Sequence, residues 1–253
     1  MKVGIIGCGV VGSAVAESYY NTKCEVSIYD PAKGYEHDIF DSDAIFVCVP
    51  SPTLANGSCD SSMLESTLDM LKDYPNVIIS KVTATPDIYT RLQKQYPNLV
   101  HAPEFLTQAN SARDYRNGQL LVLGGNPEHC GQAEQVIKRS ITPSNVVKTD
   151  IASASLFKYI VNSYLALKVI AMNQYHGLAQ AIGIDWNTLA SMLALDSRIG
   201  ASHLQVPGPD GEFGYGGMCF PKDVSALLEL ARQQTVNMDL LTSVVNINNM
   251  LRE

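Results

Sequence analysis

The stretch GYGGMCFPKDV, Gly214 to Val224, places a cysteine, a lysine and a carboxylate within five residues of one another. Cys219 follows a glycine-rich run, and Pro221 suits the first turn of a helix. The block therefore predicts a thiol at a helix N-terminus, where the helix end and Lys222 would both favour the thiolate. Asp223 supplies a carboxylate one turn on. A nucleophilic thiol is one reading. The other is a small buried cysteine, the way most cysteines outside disulfides behave.

Two further patterns could do chemistry. Lys158 and Asn162 are four residues apart, so a helix would put them on one face. A lysine and an amide on an apolar face are costly unless they meet a polar ligand; otherwise they read as a snorkelling lysine beside a solvated asparagine. Near the N-terminus, GIIGCGVVGSAVA sets Gly7, Gly9 and Gly12 in a G-x-G-x-x-G pattern after a strand and before a helix. The first glycine allows the tight turn, the second lets a pyrophosphate approach, and the third lets helix and strand pack closely. Asp30 ends the second predicted strand, placed to accept from a ribose diol and to repel a 2′-phosphate, which favours NAD over NADP. Lys33 lies close by. Without a ligand, the same glycines serve packing alone.

These residues need a frame. KVGII, EVSIY, AIFVCV, NVIIS, NLVHA and QLLVLGG read as short strands, with amphipathic stretches between them at Ser61 to Lys72 and Asp87 to Gln95. Such alternation predicts a doubly wound parallel α/β sheet with helices on both faces. After residue 150 the strands stop. A helix from about Ile151 to Ile182 follows, ended by Gly183, then a helix after Asp185, a Gly/Pro loop VPGPDGEFGYGG, and helices over Pro221 to Gln234 and Asp239 to Met250. The expected domains are 1–150, binding the dinucleotide, and 151–253, helical and catalytic. The long helix is too apolar for one small domain to cover, so a homodimer through it is expected. Lys158, Asn162 and Lys168 argue against a membrane span.

The chain of 253 residues carries a formal charge of −7 and 46% hydrophobic residues. Nucleic-acid or anionic-membrane partners need basic patches that this balance does not offer. Its six cysteines lack metal-ligand spacing, so no metal site is expected, and scattered thiols fit a reducing, cytoplasmic setting. The N-terminal apolar run resembles a secretory signal, but Gly4, Gly7, Gly9 and Gly12 are better explained by the dinucleotide turn.

The blocks GIIGCGVVG, CVPSPT, SKVTATP, APEFLTQANSARD, KYIVNSYLA, DSRIG and GYGGMCFPKD, in this order, resemble the UDP-glucose/GDP-mannose 6-dehydrogenases along nearly the whole chain. The resemblance implies an N-terminal Rossmann domain and an all-α domain on a long central helix, like that of 6-phosphogluconate dehydrogenase. It also implies a cytoplasmic dimer serving polysaccharide biosynthesis. Family members oxidise the C6 alcohol of a nucleotide sugar to the acid with two NAD⁺ per turnover. On that pattern Cys219 matches the nucleophile, and Lys158, Asn162 and Asp223 match residues that polarise the substrate oxygen and position water. Thr83 and Glu104 match further active-site residues. The implied cofactor surface is Gly7, Gly9, Val10, Val11, Gly12, Asp30, Lys33, Pro50, Thr53, Thr83 and Lys222. The implied substrate surface is Glu104, Phe105, Leu106, Lys158, Asn162, Arg198, Tyr215, Gly216 and Gly217.

The sequence also departs from the family. Members continue into a third domain that binds the nucleotide, whereas this sequence ends at Glu253, near where that unit is expected to begin. Gln108 stands where a second glutamate is common, and His203 and Gln205 stand where an aromatic and a lysine are usual. Three readings follow: a short active dehydrogenase, in which the long loop, or a neighbouring subunit through Arg198, holds the substrate; a two-electron hydroxyacid-type dehydrogenase; and an NAD-binding half-enzyme that needs a partner chain for its substrate.

Overall fold

The computed structural model describes residues 1–106 and 110–253, and the chain divides into two compact units. The first comprises Met1–Pro52 and Cys59–Lys158, the second Thr53–Ser58 and Tyr159–Glu253.

The first unit is built on one sheet of eight strands: β1 (Lys2–Ile6), β2 (Glu25–Asp30), β3 (Tyr35–Glu36), β4 (Ala44–Val47), β5 (Val77–Ser80), β6 (Leu99–His101), β7 (Leu120–Gly124) and β8 (Asn145–Thr149). Their spatial order is β3-β2-β1-β4-β5-β6-β7-β8. With them come α1 (Val10–Ser18), α2 (Ser62–Met70), α3 (Pro86–Gln95), α4 (Ser111–Arg116) and α5 (Pro127–Ile137). Val3, Ile5, Phe46 and Ile79 pack with Ala14 and Val15 of α1 and Ala133 and Ile137 of α5. Their strand neighbours Ile45 and Ile78 point the other way and are equally buried, so both faces of the sheet are covered. That is why the central strands read as continuous apolar runs.

The sheet is parallel as expected, except that β2 pairs with β3 and β6 with β7 antiparallel. β3 follows β2 through a tight turn in which Gly34 takes φ +77°. Between β6 and β7 the only described helix is α4, of six residues. It spans about 9 Å, too little to return the chain past a strand about 16 Å long.

The helix α6 (Ile151–Ala181) begins in the first unit and continues into the second. It ends at Gly183, whose φ of +74° lets Ile184 N–H reach back to the carbonyl of Ala179 at 2.9 Å. The second unit adds α7 (Trp186–Leu195), α8 (Phe220–Gln233) and α9 (Asp239–Arg252). Asp185 caps α7, accepting from Thr188 N–H at 2.8 Å. Trp186, Met172, Ala179, Leu204 and Val206 form the apolar centre of this unit. By length and composition α6 could cross a membrane, but half of its most apolar window is buried inside the protein.

Candidate active site

The glycine turn has the geometry its spacing requires. Gly7 takes φ +85°, and a Cβ there would stand 2.8 Å from the carbonyl oxygen of Cys48. At Gly12 a Cβ would come within 1.9 Å of the Gly7 carbonyl oxygen, so no side chain fits between turn and helix. Gly9 precedes α1 and faces open space, with no heavy atom within 4 Å of where a Cβ would be. Bare backbone and the first N–H groups of α1, at Val10, Val11 and Gly12, are what a pyrophosphate needs. Asp30 accepts the N–H of Cys8 through Oδ2 at 2.7 Å, which fixes its carboxylate at the turn. Lys33 donates to the Cys8 carbonyl at 2.6 Å. These residues fit a dinucleotide, with Asp30 Oδ1 left to meet a ribose hydroxyl. Pro50 is exposed, and Thr83 is half-buried, its carbonyl accepting the thiol of Cys59 at 3.3 Å.

A buried polar cluster lies elsewhere in the first unit. Lys158 is only 3% exposed, yet it meets a partner within the protein: its Nζ donates to the Glu104 carbonyl and pairs with Glu104 Oε1 at 3.2 Å. Glu104 Oε2 also accepts the N–H of Leu106 at 2.7 Å. Phe105 places its ring 5.1 Å from Lys158 Nζ. Burial pushes Lys81, beside this cluster, down to about 8, partly offset by the carboxylate of Glu104. Burial likewise holds His101 down at about 3, so its imidazole is neutral at any working pH. Cys48, pushed up to about 12 by burial, is no nucleophile.

In the second unit, Asn162 from α6 and Asp223 from α8 are buried together. Asn162 Nδ2 donates to Asp223 Oδ2 at 2.5 Å, and Lys222 Nζ donates to Asp223 Oδ1 at 2.6 Å. Asp223 is 1% exposed, a charge kept out of water by two donors. Cys219 sits at the N-cap of α8, and its carbonyl accepts the N–H of Asp223 at 2.9 Å. Of the six cysteines only Cys219 is exposed. The Phe220 ring lies tilted beside His203, whose backbone takes φ +60°, at 5.4 Å, and edge-on to Tyr215 at 6.1 Å.

The structure thus brings Lys158 to Glu104 and Phe105, and Asn162 and Lys222 to Asp223. Thr53 is exposed, and Arg198, its side chain 88% exposed, pairs only with neighbouring Asp196 at 2.6 Å among the described residues. Gln108 lies outside the described residues. A cleft of about 480 Å³ in the second unit shares Tyr215 and Pro221 with this region but not Cys219, Asn162 or Asp223. Sequence reasoning used Lys168 only as an argument against a membrane span and did not single out Asn173 or Asn248; all three are buried. Lys168 Nζ holds the loop around Arg198 by donating to the carbonyls of Ile199, Gly200 and Ser202 at 3.0, 3.0 and 2.5 Å. Their signal was a polar residue at an apolar position of a helix.

Comparison with known proteins adds an independent line. Residues 19–142 match the model of the NAD binding domain of the UDP-glucose/GDP-mannose dehydrogenase family, and residues 152–250 match its central domain. A UDP-glucose 6-dehydrogenase of Rickettsia bellii is 29% identical over 228 residues, covering 85% of this chain and 51% of that protein. The chain spans about half the length of the curated relatives it matches. Among solved structures, a UDP-glucose dehydrogenase of Pyrobaculum islandicum superposes with a TM-score of 0.81 at 20% identity, over 98% of this chain and 68% of that one. A 3-hydroxyisobutyrate dehydrogenase of Mycobacterium tuberculosis reaches 0.76 at 15% identity, over 98% of this chain and 92% of that one. Both likenesses establish the fold alone: an α/β unit followed by helices.

Proposed function

Because this chain belongs to the UDP-glucose/GDP-mannose dehydrogenase family, we propose that it carries out the four-electron oxidation of a nucleotide sugar. The C6 alcohol of a UDP-glucose-like substrate becomes a carboxylate through a thiohemiacetal and a thioester on Cys219. The observation that carries this reading is the start of α8. One exposed thiol stands at the helix end, and a buried carboxylate one turn later is held by an amide from α6. NAD, when bound at the glycine turn, is the hydride acceptor for both oxidations.

The roles of the chain's own residues follow from what each oxidation lacks. An alcohol must lose its proton as it is oxidised, and Asp223 with a water, or Lys158, accepts it. An aldehyde has no hydride to give until a nucleophile adds to its carbonyl carbon. The sulfur of Cys219 adds there, forming a C–S bond and an alkoxide that takes up a proton. After the second oxidation the carbon is held as a thioester. Water positioned near Glu104 opens it, releasing the acid and restoring the thiol. Lys158 and Asn162 supply positive charge and N–H donors to the oxygen that becomes negative at each stage. Each must first exchange its present partner, Glu104 or Asp223, for the substrate oxygen.

The chain is proposed to act as a dimer in the cytoplasm. Ile160, Tyr164, Tyr175, Leu178 and Ile182 on and just after α6 are each more than half exposed, an apolar surface that a second copy would cover. The six cysteines form no disulfide, which fits a reducing compartment.

Incubation with NAD⁺ and a panel of nucleotide sugars, measuring both NADH and sugar product, tests the proposal. Two NADH per sugar acid is the expected result. One NADH with a carbonyl product would favour a two-electron dehydrogenase. NAD binding with no NADH from any sugar would favour a half-enzyme that needs a partner chain.

A further inference from the structure

The loop Gly208 to Gly217 delivers the chain to Cys219, and its backbone is not one that regular structure holds in place. Gly211, Gly214 and Gly217 take φ of +84°, +70° and +73°, in the left-handed region. Side chains from two helices fix it instead. Asn248 of α9 is 7% exposed, and its Oδ1 accepts the N–H of Tyr215 at 2.7 Å. Asn173 of α6 is equally buried and accepts the N–H of Gly214 at 3.0 Å. Arg252, one turn beyond Asn248, donates through Nη2 to Asp210 Oδ2 at 2.8 Å and to the Gly214 carbonyl at 3.4 Å. Its guanidinium lies against Gly216, where a Cβ would stand 2.5 Å from Nη1.

Nothing in the making of α9 asks for these groups. Asparagine is a poor helix former and is costly when buried without a partner. At position 248 a poor helix former is kept within the helix, and its burial is offset because its oxygen accepts from the backbone of another segment. The same loop receives a second buried asparagine and an arginine, so three side chains converge on three consecutive residues, Gly214 to Gly216, shortly before Cys219.

We propose that Asn248, together with Asn173 and Arg252, is a positioning residue for the thiol: it sets the backbone of Tyr215 to Gly217 and thereby the place of Cys219. The inference rests on Cys219 being the reacting group of the function proposed above. Because the anchoring can be read without substrate, the two fail separately.

The test compares Asn248→Ala, which removes the acceptor, with Asn248→Asp, which keeps an oxygen there. Amide hydrogen exchange at Gly214 and Tyr215, iodoacetamide alkylation of Cys219 and NADH release from UDP-glucose are measured for both. In Asn248→Ala, exchange at Tyr215 should rise by about tenfold or more, the scale of one lost buried hydrogen bond. Exchange over Val224 to Leu227 should stay unchanged. Alkylation of Cys219 should change by at least about threefold and kcat fall by about tenfold, with the KM for NAD⁺ unaltered, as expected when a bond that orders the reacting group is lost. Asn248→Asp should lie close to the unmodified protein in each. Unchanged exchange at Tyr215 in Asn248→Ala would overturn the proposal, and so would equal alkylation rates in the two variants and the unmodified protein. Should Asn248→Ala fail to fold, Asn173→Ala against Asn173→Asp is read in the same way at Gly214, whose N–H Asn173 accepts. Loop loosening in a protein whose unmodified form yields no NADH would leave the anchoring standing and overturn the dehydrogenase reading instead.

Discussion

Replacing Asn162 by aspartate converts the buried amide–carboxylate contact into a carboxylate pair, and the outcome can be worked out from the geometry. The donor and acceptor atoms are 2.5 Å apart, and residues 162 and 223 are 5% and 1% exposed. At an effective dielectric constant of about 20, two unit charges that close repel by about 7 kcal/mol. Keeping one carboxyl protonated at about pH 7 costs about 4 kcal/mol relative to its ordinary value. Protonation is the lesser cost, so Asn162→Asp should fold with one shared proton between the two carboxyls. The folded state then holds a proton that the unfolded chain has released, so stability must fall as pH rises, at about 1.4 kcal/mol per pH unit. Urea unfolding followed at about pH 5 and about pH 7 should show Asn162→Asp losing about 2.7 kcal/mol against the unmodified protein across that interval. A stability difference that stays constant with pH would refute the close, buried contact between α6 and α8.

Three other perturbations follow from the same geometry. Gly12→Ala drives a Cβ to 1.9 Å from a backbone oxygen, so the turn must open; calorimetry should find NAD⁺ affinity reduced by at least about tenfold. Lys158→Met strands the carboxylate of Glu104, whose side chain is 10% exposed. Breaking such a pair costs about 3–5 kcal/mol, and the thermal midpoint should drop by about 6–20 °C. Light scattering should find a dimer at micromolar concentration, and Tyr164→Glu, on the exposed face of α6, should shift it towards monomer.

Much of the frame was legible because it rests on local rules. The glycine turn, the central strands and α6 with its glycine stop each follow from spacing and backbone freedom within a few residues. β8 escaped because, lying at the sheet edge with mostly exposed residues and a lysine, it lacks the apolar run of the buried strands. β3 is two residues long and carries no pattern at all. At the site, the sequence announced which residues were unusual but not whom they meet. Lys158 and Asn162 read as a pair awaiting a ligand, yet each has its own carboxylate, 54 and 61 residues away in the chain. Such contacts are set by packing between distant segments, as is the hold of Asn248 on the loop before Cys219.

The central claim is that the sulfur of Cys219 carries the substrate carbon between the two oxidations. Turnover with UDP-glucose and NAD⁺, quenched in acid within one catalytic cycle and followed by peptide mass spectrometry, reads that claim directly. A sugar-nucleotide acyl group on the peptide containing Cys219, absent in Cys219→Ser and lost on further incubation as the acid appears, is the predicted result. Acid formed at the unmodified rate by Cys219→Ser, with no adduct on the peptide of the unmodified protein, would contradict it.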